Sequence, residues 1–410
     1  MAETAPIPIL FISDAPSAGS GLGRITGDIA RRAHEHLGDV CRVAVLGYGG
    51  PGSCKLGFQQ YAIEGMTDWM TPTLPQVWED FAGEKKGICM TVWDASRLLW
   101  FSQPSRFELL ETKPDLRRWL VDAPFKRWGY FPIDADGPNG KLSFALHQTL
   151  LGFDRLLAYG EWGQQVIERT IKEDDDGKGF DLANLSHGID TDVFYPRLRV
   201  RCRFRFGSIT GARTMIKTPQ LSSIMADETL IGIVATNQAR KDWSLGIATA
   251  AELAKIRKLR LWIHTDALER HWSIPSLLAD YGLLDQTMIS LGFLTDDSMA
   301  EAYTACDLTL GIGLGEGWGY PLAESLACGT PVIHGNYAGG AEIVPEAMRV
   351  EPIAYHSEGL YACVRPVFNV DHWVARAVEF LGQRATLDPR FAWSNLWPHW
   401  ETWFRSGLAQ

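Results

Sequence analysis

The sequence lacks the features that mark a metal-rich, redox-active or disulfide-linked protein. Its seven cysteines are odd in number and widely scattered, without the close pairs typical of zinc or redox motifs. We interpret them as reduced thiols (Cys41, Cys54, Cys89, Cys202, Cys306, Cys328 and Cys363). The acidic run at 174–176 is interpreted as a solvated turn, so no metal site is predicted.

The sequence also has little that indicates a membrane or a polyanion as its partner. The N-terminus has no basic segment, and its apolar run at 7–12 is too short for a signal sequence or a membrane span. We therefore expect a cytoplasmic protein without a transmembrane segment. A formal net charge of -10 argues against general electrostatic binding of nucleic acid or an anionic membrane, so any such contact would be local.

What is present is the composition of a globular α/β protein. Hydrophobic residues make up 46% of the 410 residues and charged residues 21%, and this length suggests two domains. Short apolar runs alternate with helical periodicity, which predicts βαβ units and parallel sheets. The first series has strands at 7–13, 41–48, 87–93, 128–133 and 155–159, with helices at 21–37, 142–151 and 162–171. The second has strands at 230–237, 259–265, 288–294, 308–312 and 331–335, with helices at 244–256, 276–281, 299–306 and 322–328.

These series predict two Rossmann-like, doubly wound domains and a tail. We assign residues 1–195 to the first domain, 196–228 to a linker or insertion, 229–385 to the second domain and 386–410 to the tail. In the tail, tryptophans recur at helical spacing and should form one apolar face, with Pro398 at a helix start (Trp393, Trp397, Trp400 and Trp403).

The most informative stretch, 315–333, follows an apolar strand and opens a helix. It combines closely spaced glycines with a proline suited to the first helical turn. Free backbone N–H groups at such a helix start would face a phosphate or a sugar hydroxyl at the carboxyl edge of the sheet. Glu316 and Glu324 frame this loop.

With seven residues between them, Glu316 and Glu324 resemble the paired-glutamate motif of the retaining GT-B glycosyltransferases of family 4, also called group 1. The resemblance implies that Glu316 lies beside the donor sugar and that Glu324 accepts hydrogen bonds from the ribose hydroxyls. It also implies donor contacts from the helix start (Gly317, Trp318, Gly319, Tyr320, Pro321 and Leu322). The alternative is a capped strand-turn-helix with two exposed glutamates.

The loop at 237–242, after the first strand of the second series, is similar to the family loop that holds the donor diphosphate. Asn237 is a donor-binding candidate, and Arg240 and Lys241 are catalytic candidates. Preorganised cations there would stabilise the charge that develops on the leaving diphosphate. The family often has an arginine where Thr236 stands, and a solvated helix start is the alternative interpretation.

The remaining candidates come from the same resemblance or from their positions at the ends of strands. The glycine-rich loop at 14–24 supplies Gly21 and Gly23 to the donor phosphates, although its spacing does not match a dinucleotide-binding fingerprint. Asp134 falls where many relatives have a histidine that touches the donor sugar, so it is a catalytic candidate in place of that histidine. His187 is expected to be structural. Backbone groups around Phe293 and Leu294 would contact the base or the sugar of the donor. Trp93 and Asp94 are acceptor candidates, with a core tryptophan and a turn aspartate as the alternative.

Five arginines alternate with apolar residues at 197–206 (Arg197, Arg199, Arg201, Arg203 and Arg205). An extended chain would place all of them on one face. Such a face could bind an anionic acceptor, such as nucleic acid or a phospholipid headgroup. The alternative is a solvated edge strand whose charges discourage pairing.

The resemblance implies an α/β fold of the GT-B type, in which two Rossmann-like domains face a cleft and a C-terminal helix crosses back to the first domain. The implied activity is retaining transfer from a UDP- or GDP-sugar to an unidentified acceptor, such as a glycan, a lipid or modified nucleic acid. No cofactor or metal is expected. The alternatives are a non-catalytic nucleotide-sugar binding module and a GT-B sugar-nucleotide epimerase; a phosphorylase would need a pyridoxal phosphate motif that we do not identify.

Overall fold

The computed structural model describes residues 5–50, 56–63, 72–172, 179–214 and 224–409. It divides into two compact units. The first unit contains Met1–His187, Glu358–Cys363 and Ser394–Gln410, and the second contains Gly188–Ser357 and Val364–Trp393. The acidic run at 174–176 and Cys54 lie outside the described residues.

The first unit is built on a parallel sheet with seven strands in its described residues. The strands are β1 (Ile7–Asp14), β2 (Cys41–Tyr48), β3 (Gln59–Ile63), β4 (Gly87–Thr91), β5 (Phe125–Phe131), β6 (Arg155–Ala158) and β7 (Leu182–Asn184). Their order is β3-β2-β1-β4-β5-β6-β7, and each neighbouring pair is parallel. This is the doubly wound arrangement predicted from the sequence.

Helices cover this sheet because their apolar faces pack against its aliphatic and aromatic side chains. They are α1 (Gly21–His36), α2 (Leu74–Ala82), α3 (Leu99–Ser102), α4 (Pro114–Val121), α5 (Phe144–Leu150) and α6 (Glu161–Ile171). In α1, the Ser20 side chain caps the helix by accepting a hydrogen bond from the amide of Gly23. Trp78, Phe101 and Phe125 belong to the same buried cluster.

The second unit has a seven-stranded sheet of the same kind among its described residues. Its strands are β8 (Arg213–Thr214), β9 (Thr229–Val234), β10 (Leu259–Thr265), β11 (Thr287–Leu291), β12 (Leu308–Gly311), β13 (Val332–Gly335) and β14 (Arg349–Val350), in the order β14-β13-β12-β9-β10-β11-β8. Only the short edge strand β8 is antiparallel to its neighbour in this sheet as described. A separate pair, β15 (Ala354–Glu358) and β16 (Cys363–Val367), forms a two-stranded sheet.

The helices after residue 196 complete the second unit and end in the tail. They are α7 (Arg199–Phe204), α8 (Phe206–Thr210), α9 (Trp243–Ala254), α10 (Ile274–Asp280), α11 (Asp296–Ala305), α12 (Tyr320–Ala327), α13 (Ala338–Ile343), α14 (Val370–Phe380) and α15 (Trp393–Leu408). Together with the two sheets, they confirm the predicted α/β fold class.

The arginine-rich stretch is helical, so the prediction of an extended strand with five arginines on one face is wrong. Residues 199–204 form α7, and α8 begins at Phe206. Arg197 pairs with Asp297 at 2.8 Å, whereas Arg199 and Arg203 both pair with Asp307, the former at 2.9 Å. These ion pairs and the burial of Cys202 and Phe206 favour the helix. The two exposed arginines of the stretch are Arg201 and Arg205.

Helix α15 is anchored in the first unit by its tryptophans. The ring of Trp400 is fully buried, lies 5.0 Å from that of Tyr130, and donates through Nε1 to the Ser186 carbonyl at 2.8 Å. Arg155 donates to the Trp403 carbonyl at 2.8 Å and lies over the Trp403 ring. These contacts combine apolar burial with satisfied polar groups.

Pro398 lies inside α15, so the prediction that it begins a helix is wrong. The helix begins at Trp393 and continues through the proline. A proline costs the helix one backbone hydrogen bond. Four largely buried tryptophans on the helix outweigh that loss, since each removes a large apolar area from water (Trp393, Trp397, Trp400 and Trp403).

We expect Trp400→Ala to destabilise the first unit by about 3 to 5 kcal/mol, because it creates a cavity and leaves the Ser186 carbonyl without its donor. Thermal unfolding followed by circular dichroism measures the effect. His399→Ala, an exposed change in the same helix, is the control and should leave the transition unchanged. Equal melting temperatures for the two variants would contradict this role of Trp400.

Candidate donor-binding site

Two loops at the carboxyl edge of the second sheet are hydrogen-bonded along their length. The basic loop (236–242) follows β9, and the glycine loop (312–319) follows β12. The Asp242 amide donates to the Ile312 carbonyl at 2.9 Å, and the Leu314 amide donates to the Arg240 carbonyl at 2.9 Å. The Asp242 side chain caps α9 by accepting from the Leu245 amide. The backbone therefore fixes where the side chains of both loops point.

The glycine loop places Glu316 between the two cations of the basic loop. Arg240 donates through Nη1 to Glu316 Oε2 at 3.0 Å and to the Gly315 carbonyl at 3.0 Å. Lys241 Nζ donates to the other carboxylate oxygen, Oε1. Only 14% of the Glu316 side chain and 10% of the Lys241 side chain are exposed. The three charges thus form one largely desolvated cluster.

This cluster sets the charge of Glu316. Burial alone raises the pKa of its carboxyl group. The positive charges of Lys241 and Arg240 outweigh this effect and lower the pKa to about 2. Glu316 is therefore anionic at neutral pH. A Cβ atom at position 313 would overlap the Glu316 carboxylate, so any residue larger than Gly313 would displace that carboxylate from its present position.

Glu324 lies deeper, on the buried side of α12. It is 4% exposed, and the Tyr303 hydroxyl donates to its Oε2 at 2.9 Å. Burial, followed by the charge of Glu324, raises the pKa of Tyr303, so the phenol remains a donor. With Glu316 also largely enclosed, the alternative of a helix with two exposed glutamates is wrong.

The side chain of Asn237 joins two loops of the second unit. Its Nδ2 donates to the carbonyls of Ala267 and Trp272 at 3.1 and 2.8 Å, and its Oδ1 accepts from the Trp272 amide at 3.0 Å. Its backbone amide donates to Asp266. Asn237 thus connects the basic loop to the segment after β10, and sequence reasoning missed its partners Asp266 and Trp272.

The other donor-binding candidates of the second unit lie at the same edge of the sheet. The glycine loop and the first turn of α12 contain Gly317, Trp318, Gly319, Tyr320, Pro321 and Leu322. Trp318 is 3% exposed, with its ring against those of Tyr320 and Phe391, which indicates a packing role. Phe293 and Leu294 follow β11, and Phe293 is 79% exposed.

In the first unit, the candidates lie around the end of β1. Trp93 is fully buried and donates through Nε1 to Asp14 Oδ1 at 3.0 Å, as a core tryptophan would. Ser20 donates to the other oxygen of Asp14 at 2.6 Å. Asp14 was missed by sequence reasoning, although it is the acidic residue that ends the first strand.

The remaining first-unit candidates lie on α1 and after β4, β5 and β7, and Gly23 joins the Asp14 group through Ser20. Gly21 is the first residue of α1, and the amide of Gly23 is used in capping that helix. Asp94 precedes a short 3-10 helix, and its Oδ2 lies 3.7 Å from Arg97 Nε. Asp134 is half-buried and follows β5. His187 is buried against Tyr130, whose hydroxyl is 3.2 Å from its Nδ1.

The described residues contain neither a candidate metal site nor a helix that could span a membrane. No group of three or more His, Cys, Asp or Glu side chains there could hold a metal ion. In the same part of the chain, no helix has the length and apolar character needed to cross a membrane.

Comparison with known proteins identifies a family for part of the chain, most of it in the second unit. Residues 228–365, which include both glutamates and the basic loop, match the family model described as Glycosyl transferases group 1. The resemblance identified from the sequence is confirmed for this segment. The retaining mechanism and the roles of individual residues stay predictions.

Particular relatives agree with this class. Serotype-specific mannosyltransferase WbdA of Escherichia coli is 29% identical over 133 residues, which span 32% of this chain and only 16% of WbdA. Sucrose-phosphate synthase from Thermosynechococcus elongatus superposes with a TM-score of 0.65 at 13% identity, over 98% of this chain and 99% of that one. Anabaena HepE in complex with UDP and glucose superposes with a TM-score of 0.58 at 14% identity, over 85% of this chain and 86% of the HepE chain. At such identities these two structures establish the GT-B fold alone.

We expect Tyr303→Phe to lower the free energy of unfolding of the second unit by about 1 to 3 kcal/mol, because the buried Glu324 carboxylate loses a hydrogen bond. Urea unfolding measures this loss. The control is Tyr281→Phe, which removes a hydroxyl from a residue that is 41% exposed. Unchanged stability of Tyr303→Phe would mean that the hydroxyl does not support Glu324.

Proposed function

We propose that the chain is a glycosyltransferase that transfers a sugar from a nucleotide diphosphate sugar with retention of anomeric configuration. The observation that carries the proposal is the cluster of Arg240, Lys241 and Glu316 at the carboxyl edge of the second sheet. Doubly wound sheets bind ligands at this edge. The two cations can bind the diphosphate of such a donor, and the carboxylate beside them can contact the adjoining sugar.

Each member of the cluster has a separate role in this proposal. Arg240 and Lys241 bind the diphosphate and stabilise the charge that develops as it leaves. Glu316 lies beside the donor sugar. Glu324 accepts hydrogen bonds from the ribose, and the hydroxyl of Tyr303 holds its carboxylate in one orientation.

The donor is a UDP- or GDP-sugar, and the acceptor is a hydroxyl of a glycan, a lipid or modified nucleic acid. Asp134 and the acceptor candidates Trp93 and Asp94 belong to this proposal, but the full burial of Trp93 favours a structural role. An anionic acceptor near the arginine-rich stretch has Arg201 and Arg205 as its exposed cations, although Arg205 Nη1 also lies 3.9 Å from Glu301 Oε2. The other three arginines already pair with aspartates.

The test is a panel of nucleotide sugars, including UDP-glucose, GDP-mannose and ADP-glucose. Calorimetry measures binding, and chromatography follows hydrolysis and the configuration of the released sugar. Slow hydrolysis that releases the sugar with the anomeric configuration of the donor supports a retaining transferase. Conversion to an isomeric nucleotide sugar would indicate an epimerase, and binding without any turnover would indicate a binding module.

Glu324→Ala should weaken nucleotide sugar binding by about 1 to 3 kcal/mol, because the ribose hydroxyls lose their acceptor in a desolvated site. A donor with 2′-deoxyribose sharpens the measurement, since it should bind the variant and the parent protein with more similar affinity than the ribose donor does. The exposed Glu346→Ala is the control. Calorimetry that shows unchanged affinity for the ribose donor would contradict the assignment.

Lys241→Ala should lower kcat about 100-fold or more and raise KM much less, because the lysine charge matters most as the diphosphate departs. Steady-state hydrolysis of the donor gives both constants. Lys255→Ala removes an exposed lysine at the end of α9 and should be neutral. Normal turnover of Lys241→Ala at saturating donor would transfer the phosphate role to Arg240.

A further inference from the structure

A histidine on β13 contributes an unsatisfied acceptor next to the donor-binding cluster. His334 is 1% exposed, and its Nδ1 lies 2.6 Å from the Gly311 carbonyl. A carbonyl oxygen only accepts, so Nδ1 carries the proton of the neutral ring. The other nitrogen, Nε2, is then a buried lone pair, and it has no hydrogen-bond partner among the residues that the structure describes. Such a group is costly to bury, and it calls for an explanation.

The imidazole and the side chain of Glu316 border the same small space. A Cβ atom at Gly340 would lie 2.6 Å from His334 Nε2 and 3.1 Å from Glu316 Cβ, so only glycine leaves room for both side chains. The charged groups that act on the imidazole are Glu316, Lys241 and Arg349. The pKa of His334 therefore depends on the charges of Glu316 and of its partner Lys241.

His334 is neutral in the structure because of this balance. Burial lowers its pKa, and Lys241 and Arg349 lower it further, whereas the Gly311 carbonyl and Glu316 raise it. The negative charge of Glu316 is already compensated by Arg240 and Lys241. A protonated His334 would therefore be little stabilised by Glu316 while the ion pairs of Glu316 with Arg240 and Lys241 are in place.

Donor binding changes this balance. In the proposed function, the donor diphosphate binds the same two cations that now hold Glu316. A carboxylate that shares its cations with a second anion in a desolvated site loses much of its stabilisation. Glu316 must then take up a proton or gain another positive partner, and His334 is the titratable side chain that borders it.

We propose that His334 takes up one proton at Nε2 when the nucleotide sugar binds, and that the resulting imidazolium replaces Arg240 and Lys241 as the partner of Glu316. The proton comes from solvent, and the protein gains one positive charge for each donor bound. His334 is thus a positioning residue that keeps Glu316 ionised beside the donor sugar. This inference rests on the proposed function.

The signature of this exchange is proton uptake on binding. Calorimetric titration with UDP-glucose or GDP-mannose, repeated in buffers with different ionisation enthalpies, counts the protons. The diphosphate of a nucleotide sugar is esterified at both ends and does not titrate near neutral pH, so an uptake belongs to the protein. We expect up to one proton per donor near pH 7. The His334 pKa rises on binding, so affinity should fall with increasing pH, by at most about tenfold for each pH unit, until the pH exceeds the bound-state pKa.

Two matched histidine variants test the residue itself. His334→Asn keeps an N–H group for the Gly311 carbonyl but cannot titrate, so proton uptake should disappear and affinity should become independent of pH in this range. His264→Asn is the control: its Nδ1 contacts Ser290 at 2.9 Å elsewhere in the same unit, and uptake should remain. If His334→Asn does not fold, His334→Gln serves instead, because its amide cannot titrate either and the uptake should also disappear.

The possible outcomes separate this inference from the proposed function. Donor binding without proton uptake in the parent protein overturns the role of His334 and leaves the donor site intact. Uptake that persists in His334→Asn assigns the proton to another group and also overturns it. Failure of every nucleotide sugar to bind overturns the proposed function together with this inference.

Discussion

The pairing of one carboxylate with two cations organises the candidate site of the second unit. Glu316 is largely removed from water, and it remains ionised there because Arg240 and Lys241 each contact one of its oxygens. Removing one partner of such a cluster would leave an uncompensated charge. The loops after β9 and β12 must therefore stay in register, which their backbone hydrogen bonds ensure. Without the ion pairs, the hydrogen-bonded loops would enclose an isolated charge.

The neutral contacts around this cluster hold its framework without adding charge. The amide of Asn237 links the basic loop to the segment ending at Trp272, and the phenol of Tyr303 holds Glu324. Neither side chain changes ionisation near neutral pH. The site thus separates a charged part, which can exchange partners when an anion arrives, from a framework whose hydrogen bonds do not depend on that exchange.

The sequence predicts the strands best where both faces of a strand are buried. The bounds of β2 and β10 agree with prediction, whereas β3 has too many polar residues to be recognised. The spacing of Glu316 and Glu324 identified the glycine loop, because that signal is local. The partners of Asn237 and His334 were not predictable, since they lie 35 and 23 positions away and are brought together only by neighbouring strands. The helix at α7 also depends on a distant residue, Asp307.

The first unit is discontinuous in sequence, and this has a consequence for its biosynthesis. Its sheet is complete by residue 184, yet the side chains that cover β5 and β6 include Trp400 and Trp403 of α15. Chains emerge from the ribosome N-terminal end first. The aromatic surface of β5 must therefore stay without this cover while the whole second unit is being translated, so the first unit reaches its final packing only after α15 has been synthesised.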